Sequence, residues 1–160
     1  QWASMTAEET ATLTTRKKQC EDLLTSAVEG YFHALTRAHV PFDIILDQDQ
    51  IQQVFMNISV NACEALGSLP RGQERSLHVT TSFDTMKRRI RISFADNGPG
   101  IPEEIKAHIF EPFFSTKTTG AGIGLALCHD LIREHGGGIE VQSGPGGTTF
   151  VVVLPIEELV

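Results

Sequence analysis

Asn57 and Asn61 stand four residues apart, and Glu64 follows three residues later. On a helix this spacing places all three on one face. Asparagine is a mediocre helix former, so two on one face ask for a reason. Amide oxygens suit magnesium, which keeps several waters and shares substrate phosphates. Polar surface would also account for the pair taken alone. Asp96–Asn97–Gly98–Pro99–Gly100–Ile101 offers a second chemistry. An aspartate held at a strand end can accept from an exocyclic amine. Gly98 and Gly100 let the backbone turn sharply and approach a flat ring. A plain Asp-Asn-Gly turn is the other reading.

Gly120–Ala121–Gly122–Ile123–Gly124–Leu125 precedes a helical pattern. Alternating glycines at a helix N-terminus leave N–H groups and a favourable dipole for phosphates. The spacing is neither the dinucleotide fingerprint nor a P-loop, and a tight turn would also use it. Phe110, Phe113 and Phe114 lie just before this run. Three phenylalanines in five residues are too many for a free surface loop. They are expected to anchor the base of a lid whose tip is Ser115–Gly120. Lys117 could reach a terminal phosphate as a point charge, or be a solvated loop lysine.

These groups need elements to position them. Residues 1–19 carry little apolar pattern and read as a lead-in, the tail of an upstream domain. Leu24, Ala27, Val28, Tyr31, Leu35 and Ala38 recur at helix spacing within Cys20–His39, and Pro41 ends the run. Phe42–Leu46 is a short strand candidate. Ile51, Val54, Phe55, Ile58, Ala62, Ala65 and Leu66 mark a second amphipathic helix over 48–66. Leu77, Val79, Thr81 and Phe83 alternate, as do Ile90, Ile92 and Phe94, which predicts a hairpin. Ile123–His135 reads as a helix, and Ile139–Val141 with Thr148–Leu154 as a closing hairpin. Eleven of the 14 glycines fall between Gly98 and Gly147. The order implies an α+β sandwich, a largely antiparallel sheet with helices on one face.

Composition sets the outer bounds. The 160 residues are 41% hydrophobic and 21% charged, enough for one domain with a real core. A net charge of -7 and a pI near 5.3 argue against binding nucleic acid through its phosphates. Arg89–Ile90–Arg91–Ile92 reads as the wet face of a strand. Cys20, Cys63 and Cys128 show no zinc spacing and no disulfide framework, which fits a reducing, cytoplasmic setting. No apolar run approaches the roughly 20 residues that span a bilayer, so no membrane contact is expected of this domain.

In combination the four segments are far more specific. Asn57-x-x-x-Asn61-Ala62, Asp96-x-Gly98-x-Gly100, Phe110-x-x-Phe113 and Gly120-x-Gly122-x-Gly124-Leu125 occur in that order. Together they resemble the catalytic, ATP-binding domain of two-component sensor histidine kinases, over about residues 20–156. The resemblance implies a two-layer α/β sandwich of the Bergerat type, with a mixed, mostly antiparallel sheet and helices on one face. Residues 20–160 would be the ATP-binding domain, and 1–19 the tail of a dimerisation domain. ATP and Mg2+ would lie between the second helix and the lid. By position, Asn61 would bind magnesium, with Asn57 assisting at the phosphates and Glu64 beside them. Asp96 would bond the adenine amino group, and Gly98, Gly100, Ile101 and Phe110 would shape that pocket. Thr116, Lys117, Gly120, Gly122, Ile123, Gly124 and Leu125 would hold the phosphates and hinge the lid. Thr148 would support the adenine-side water network.

The reaction implied is transfer of the γ-phosphoryl group of Mg-ATP to a histidine, by positioning and charge neutralisation. The acceptor would sit on a histidine-containing dimerisation domain of the same parent protein, for relay to the receiver domain of a response regulator. None of the six histidines here lies in surroundings like that acceptor's. The piece alone is expected to be monomeric, binding ATP without phosphorylating itself. The family usually has two strands between its first helix and the asparagine helix, whereas only Phe42–Leu46 precedes Asp47 here. The alternative from another class is a protein-binding regulator of the same fold, like an anti-sigma factor with serine kinase activity.

Overall fold

The computed structural model describes residues 46–84, 86–115 and 122–156, all within one compact unit, Val40–Val160. The lead-in, the helix expected over Cys20–His39 and residues 42–45 of the expected strand lie outside the described residues. Leu46 is in neither helix nor strand.

Helix α1 spans Gln48–Gly67. Asp47 starts it, because its carboxylate accepts from the Gln50 N–H at 3.1 Å and satisfies one orphan donor. At the other end the Ser68 hydroxyl and N–H both return to the Ala65 carbonyl. Ile51, Val54, Phe55, Ile58, Ala62 and Leu66 form the buried stripe.

Strands β1 (Leu77–Asp84) and β2 (Arg89–Asp96) form the first hairpin. Strands β3 (Gly138–Gly144) and β4 (Gly147–Pro155) form the second. Between the hairpins lie a single-turn helix α2 (Glu103–Lys106) and helix α3 (Gly124–Glu134). The sheet order is β1-β2-β4-β3, and all three pairings are antiparallel. The expected parallel component of a mixed sheet is therefore not found among the described strands. The last strand in this order of the chain, β4, sits inside the sheet rather than at its edge.

Register decides which residues share a face. Ile90, Ile92 and Phe94 stand opposite Leu154, Val152 and Phe150 on the inner face. All six are buried, beneath α1 and α3. The Phe55 ring lies 5.3 Å from that of Phe94, tilted by 55°. Helix α3 adds Ala126, Cys128 and Ile132 to the same core. The Cys128 thiol donates to the Val54 carbonyl at 3.7 Å, a direct link between the two helices.

Val79 and Phe83 share the inner face with Phe94 and Ile90, yet they are 46% and 39% exposed. The alternation predicted for this strand holds in register, but burial does not extend to the sheet edge. Val151 and Val153 face the outer side and are buried. Arg91 reaches across β4 to Glu140 with two hydrogen bonds of 3.2 and 2.7 Å. By register the pair sits beside Val153 and Val151, both buried. The side-chain stems shield apolar surface while the charged heads stay wet. This bears out the wet strand face read for Arg89 and Arg91.

Candidate functional site

The strand end of β2 delivers Asp96 to the junction of β2, β4 and the C-terminal half of α1. The residue is 9% exposed. Oδ1 accepts from the Gly98 N–H at 2.8 Å and from the Thr148 N–H at 3.3 Å. Two backbone donors on one oxygen fix the rotamer and leave Oδ2 as the oxygen able to accept from a ligand. Thr148 stands opposite Asp96 in register, on the same face, and is buried.

Loop 97–101 is held against its neighbours at every step. The Asn97 amide accepts from the Ser76 N–H and donates to the Glu74 carbonyl, at 2.8 and 3.0 Å. A Cβ on Gly98 would stand 2.8 Å from Asp96 Oδ1 and 3.2 Å from the Ala65 Cβ. Gly98 therefore places Asp96 beside α1. Gly100 has φ +81°, and a Cβ there would meet the Gly144 carbonyl oxygen at 1.9 Å. Only glycine fits both that conformation and that approach. The Ile101 N–H donates to Ser143 Oγ at 2.7 Å.

Asn57, Asn61 and Glu64 follow one another along α1 as predicted. Asn57 and Asn61 are half-buried and Glu64 is exposed. The Asn57 amide donates to the Gly124 carbonyl at 3.4 Å and accepts from Gln53 Nε2 at 3.2 Å. It thereby joins α1 to the start of α3. From Asn57 beside Gly124 to Ala65 beside Gly98 is eight residues, about 12 Å of helix. Asn61 lies between these two ends. Its neighbourhood offers no cage of several carboxylates: among the described residues no group of three His, Cys, Asp or Glu could hold a metal. One amide oxygen, with waters and ligand phosphates completing the shell, is a donor set that magnesium accepts.

Helix α3 begins at Gly124 with Ile123 at the cap position, and no side chain caps it. Its first turn also carries no acidic residue. The first N–H groups and the dipole of an eleven-residue helix lie beside Asn57, whose amide meets the Gly124 carbonyl. Gly122 has φ +66°, and its carbonyl accepts from the Phe113 N–H at 3.0 Å. Residues 113 and 122 are thus paired at the base of the predicted lid. Leu125 is half-buried and Ile123 is 49% exposed. Thr116, Lys117 and Gly120 lie outside the described residues.

The phenylalanines correct one expectation. Phe110 does anchor: its ring lies 5.3 Å from His129 and 6.5 Å from Phe150. Phe114 is half-buried with its ring 5.9 Å from His108. Phe113 is not an anchor but is 79% exposed. Its φ of 67°, held by the pairing with Gly122, turns the side chain out of the cluster.

Sequence reasoning read the six histidines as structural or surface residues, named Asn97 only as part of its motif, and missed Ser143. His135 Nδ1 contacts the Leu131 carbonyl at 2.7 Å, and Nε2 accepts from the Asp47 N–H at 3.1 Å. The neutral imidazole with its proton on Nδ1 satisfies both, tying the end of α3 to the start of α1. This agrees with a structural reading of that histidine. Asn97 was visible within its glycine motif. Ser143 gives no signal in the sequence.

Comparison with known proteins places this arrangement. Two sensory histidine kinase/phosphatases called NtrB are similar to it. That of Rhizobium leguminosarum bv. phaseoli is 39% identical over 127 residues, covering 70% of this chain and 32% of the relative. That of Klebsiella oxytoca is 42% identical over 118 residues, covering 70% and 33%. The chain thus spans about one third of the length of these curated relatives. Among solved structures, the nucleotide-free catalytic domain of histidine kinase ThkA superposes with a TM-score of 0.63 at 31% identity, covering 84% of this chain and 91% of that one. The mycobacterial sensor histidine kinase MprB gives 0.61 at 26% identity, covering 74% and 80%. Residues 46–158, from the cap of α1 through β4, match the family profile as a unit, and the chain belongs to the histidine kinase-, DNA gyrase B- and HSP90-like ATPases.

Proposed function

We propose that this chain is the ATP-binding catalytic domain of a two-component sensor histidine kinase. It would bind Mg-ATP along α1, from Asp96 to Gly124. The observation that carries the reading is the Asp96 carboxylate, whose Oδ1 is occupied by two backbone N–H groups and whose Oδ2 is left for an exocyclic amine. Gly98 and Gly100 admit the flat base, and Thr148 lines the same end. The uncapped start of α3 offers N–H groups to the phosphates. The roughly 12 Å of α1 between the two ends is on the order of an extended nucleoside triphosphate. Asn61 would hold the magnesium ion, which supplies neutralisation of phosphate charge when bound. Asn57 and Lys117 would orient the terminal phosphates, with Thr116, Gly120 and Gly122 closing over them.

Catalysis by this chain is then positioning and electrostatics. The Asp96 end would fix the base and the start of α3 would align the phosphate tail. The nucleophile is a histidine nitrogen on a separate dimerisation domain, and the phosphoryl group passes on to a response regulator. The NtrB relatives support a histidine rather than a serine acceptor. No helix among the described residues is long and apolar enough to cross a membrane, and a cytoplasmic site of action fits this reading.

Calorimetric titration with ATP and ADP, with and without magnesium, tests the site. Asp96→Asn keeps an oxygen for the Gly98 and Thr148 N–H groups but turns an NH2 toward the adenine amine. Donor then faces donor. The expected loss is about 2 kcal/mol of ATP binding, roughly thirtyfold, with little change in unfolding temperature. Unchanged affinity removes Asp96 from the base pocket. Incubation with labelled ATP and a purified acceptor domain tests transfer, with acid-labile phosphohistidine as the expected product.

A further inference from the structure

We propose that His135 is a positioning residue for the phosphate end of the candidate site. It fixes the axial register of α3 against α1, and so where the first turn of α3 stands beside Asn57. The inference rests on the nucleotide reading above and adds to it a residue about 16 Å of helix away from Gly124.

Three polar contacts join the two helices. The Asn57 amide donates to the Gly124 carbonyl at 3.4 Å, the Cys128 thiol to the Val54 carbonyl at 3.7 Å, and the Asp47 N–H to His135 Nε2 at 3.1 Å. From Asn57 to Val54 to Asp47 the chain steps back three residues and then seven. From Gly124 to Cys128 to His135 it steps forward four and then seven. Steps of three, four and seven stay on one helix face. The helices therefore run antiparallel, with nearly equal rise between successive contacts.

Apolar packing alone sets this register loosely. Helix α3 buries Ala126, Cys128 and Ile132. Two of these are small, and small side chains allow close approach without locking ridge into groove. The Asn57 bond is long, and the first turn of α3 has no cap. His135 is better supported. Its Nδ1–H donates to the Leu131 carbonyl at 2.7 Å, which fixes the ring and leaves Nε2 as the acceptor. The turn that follows is tied to the sheet. The Gly136 and Gly137 N–H groups return to the Arg133 and Ile132 carbonyls, and a Cβ on Gly137 would stand 2.3 Å from the Val153 carbonyl oxygen. His135 thus carries a fixed corner of the fold onto the cap of α1. An α-helix is stiff along its axis, so a slip at His135 arrives at Gly124. The base end is held separately, by Asp96, Gly98 and Thr148. Loss of His135 should therefore fall on the phosphates and spare the base.

Mg-ATP and adenosine affinities, the latter by competition, test the role in the 160-residue chain. Adenosine reports the base end alone. His135→Ala is expected to weaken Mg-ATP about fivefold and to leave adenosine unmoved. His135→Gln restores the ratio of the two affinities, because a carboxamide also offers a donor and an acceptor. His135→Lys does not, because an ammonium has no acceptor for the Asp47 N–H. Thermal melting by circular dichroism first establishes that each variant is folded at the assay temperature. An unmoved Mg-ATP:adenosine ratio in His135→Ala means a histidine that only stabilises the fold, and overturns the proposal. If His135→Ala does not fold, Gln against Lys decides: equal ratios in the two overturn it. Wild-type chain that binds neither ligand sinks the nucleotide reading and this inference with it. Wild type that binds both, with a ratio unmoved by the variants, sinks this inference alone.

Discussion

Gly100 shows how little freedom the base-binding loop has. A Cβ at this residue would sit 1.9 Å from the Gly144 carbonyl oxygen, on a backbone with φ +81°. Neither atom can retreat, since the oxygen is backbone and a Cβ is held rigidly on its own backbone. Gly100→Ala is expected to cost about 3 kcal/mol or more of stability, read from urea unfolding. Gly146→Ala is the matching control, because a Cβ there meets nothing within 4 Å. At this scale the candidate site was partly legible. Asp96, Gly98, Gly100 and the asparagines announce themselves, because few residue types can accept an amine, adopt positive φ or offer an amide oxygen. Ser143 does not. A polar residue in an alternating strand looks like any other, and its role exists only once register sets it against Thr148 and packing brings Ile101 to it. Phe113 was misread for a similar reason. Its apolar type points inward, but its backbone conformation points it out.

Helices α1 and α3 meet through Asn57 at the start of α3 and through Cys128 beneath it. Burial pushes the Cys128 thiol up to about 11. At pH 8 almost none of it is thiolate, the reactive form. Cys128 is therefore expected to resist iodoacetamide in the folded chain and to be labelled in denaturant, as peptide mapping by mass spectrometry would show. The sheet offers a pH test. The hydrogen bonds from Arg91 hold the Glu140 carboxyl below the usual glutamate range. A lowered carboxylate pKa stabilises the fold above the unfolded value, about 4.3, and the gain disappears as pH falls through the folded value. Both side chains are substantially exposed, so the effect is about 1 kcal/mol or less. Wild type is expected to exceed Glu140→Gln in stability at pH 7, with the gap closing towards pH 3. The α1 and α3 stripes and both hairpins were readable from apolar period alone, within three residues at each end. The single turn of α2 was not, because four residues carry no period. The exposure of Val79 and Phe83 was also hidden, since alternation fixes a face and not what lies over it.

For the molecule as a whole, ligand binding and folding are linked. A nucleotide that binds only the native state at 100 times its Kd adds about 2.7 kcal/mol to stability. For a chain of this size that is a rise of roughly 5–10 °C in Tm. Mg-ATP is expected to produce such a rise by scanning calorimetry in wild type, and a much smaller one in Asp96→Asn at equal nucleotide.

The placement of β4 carries a temporal consequence. Among the described strands, the order β1-β2-β4-β3 makes β4 the bridge between the two halves of the sheet. It also supplies Thr148, one wall of the base pocket, and buries Phe150, Val151, Val152, Val153 and Leu154. On the ribosome every other described element is made before it. Until β4 emerges, no strand among the described ones joins β3 to the first hairpin, and β2 has only β1 beside it. Helices α1 and α3 can meet before then, but the long-range pairing that closes the sheet comes last. The wall of the base pocket that carries Thr148 is completed with it.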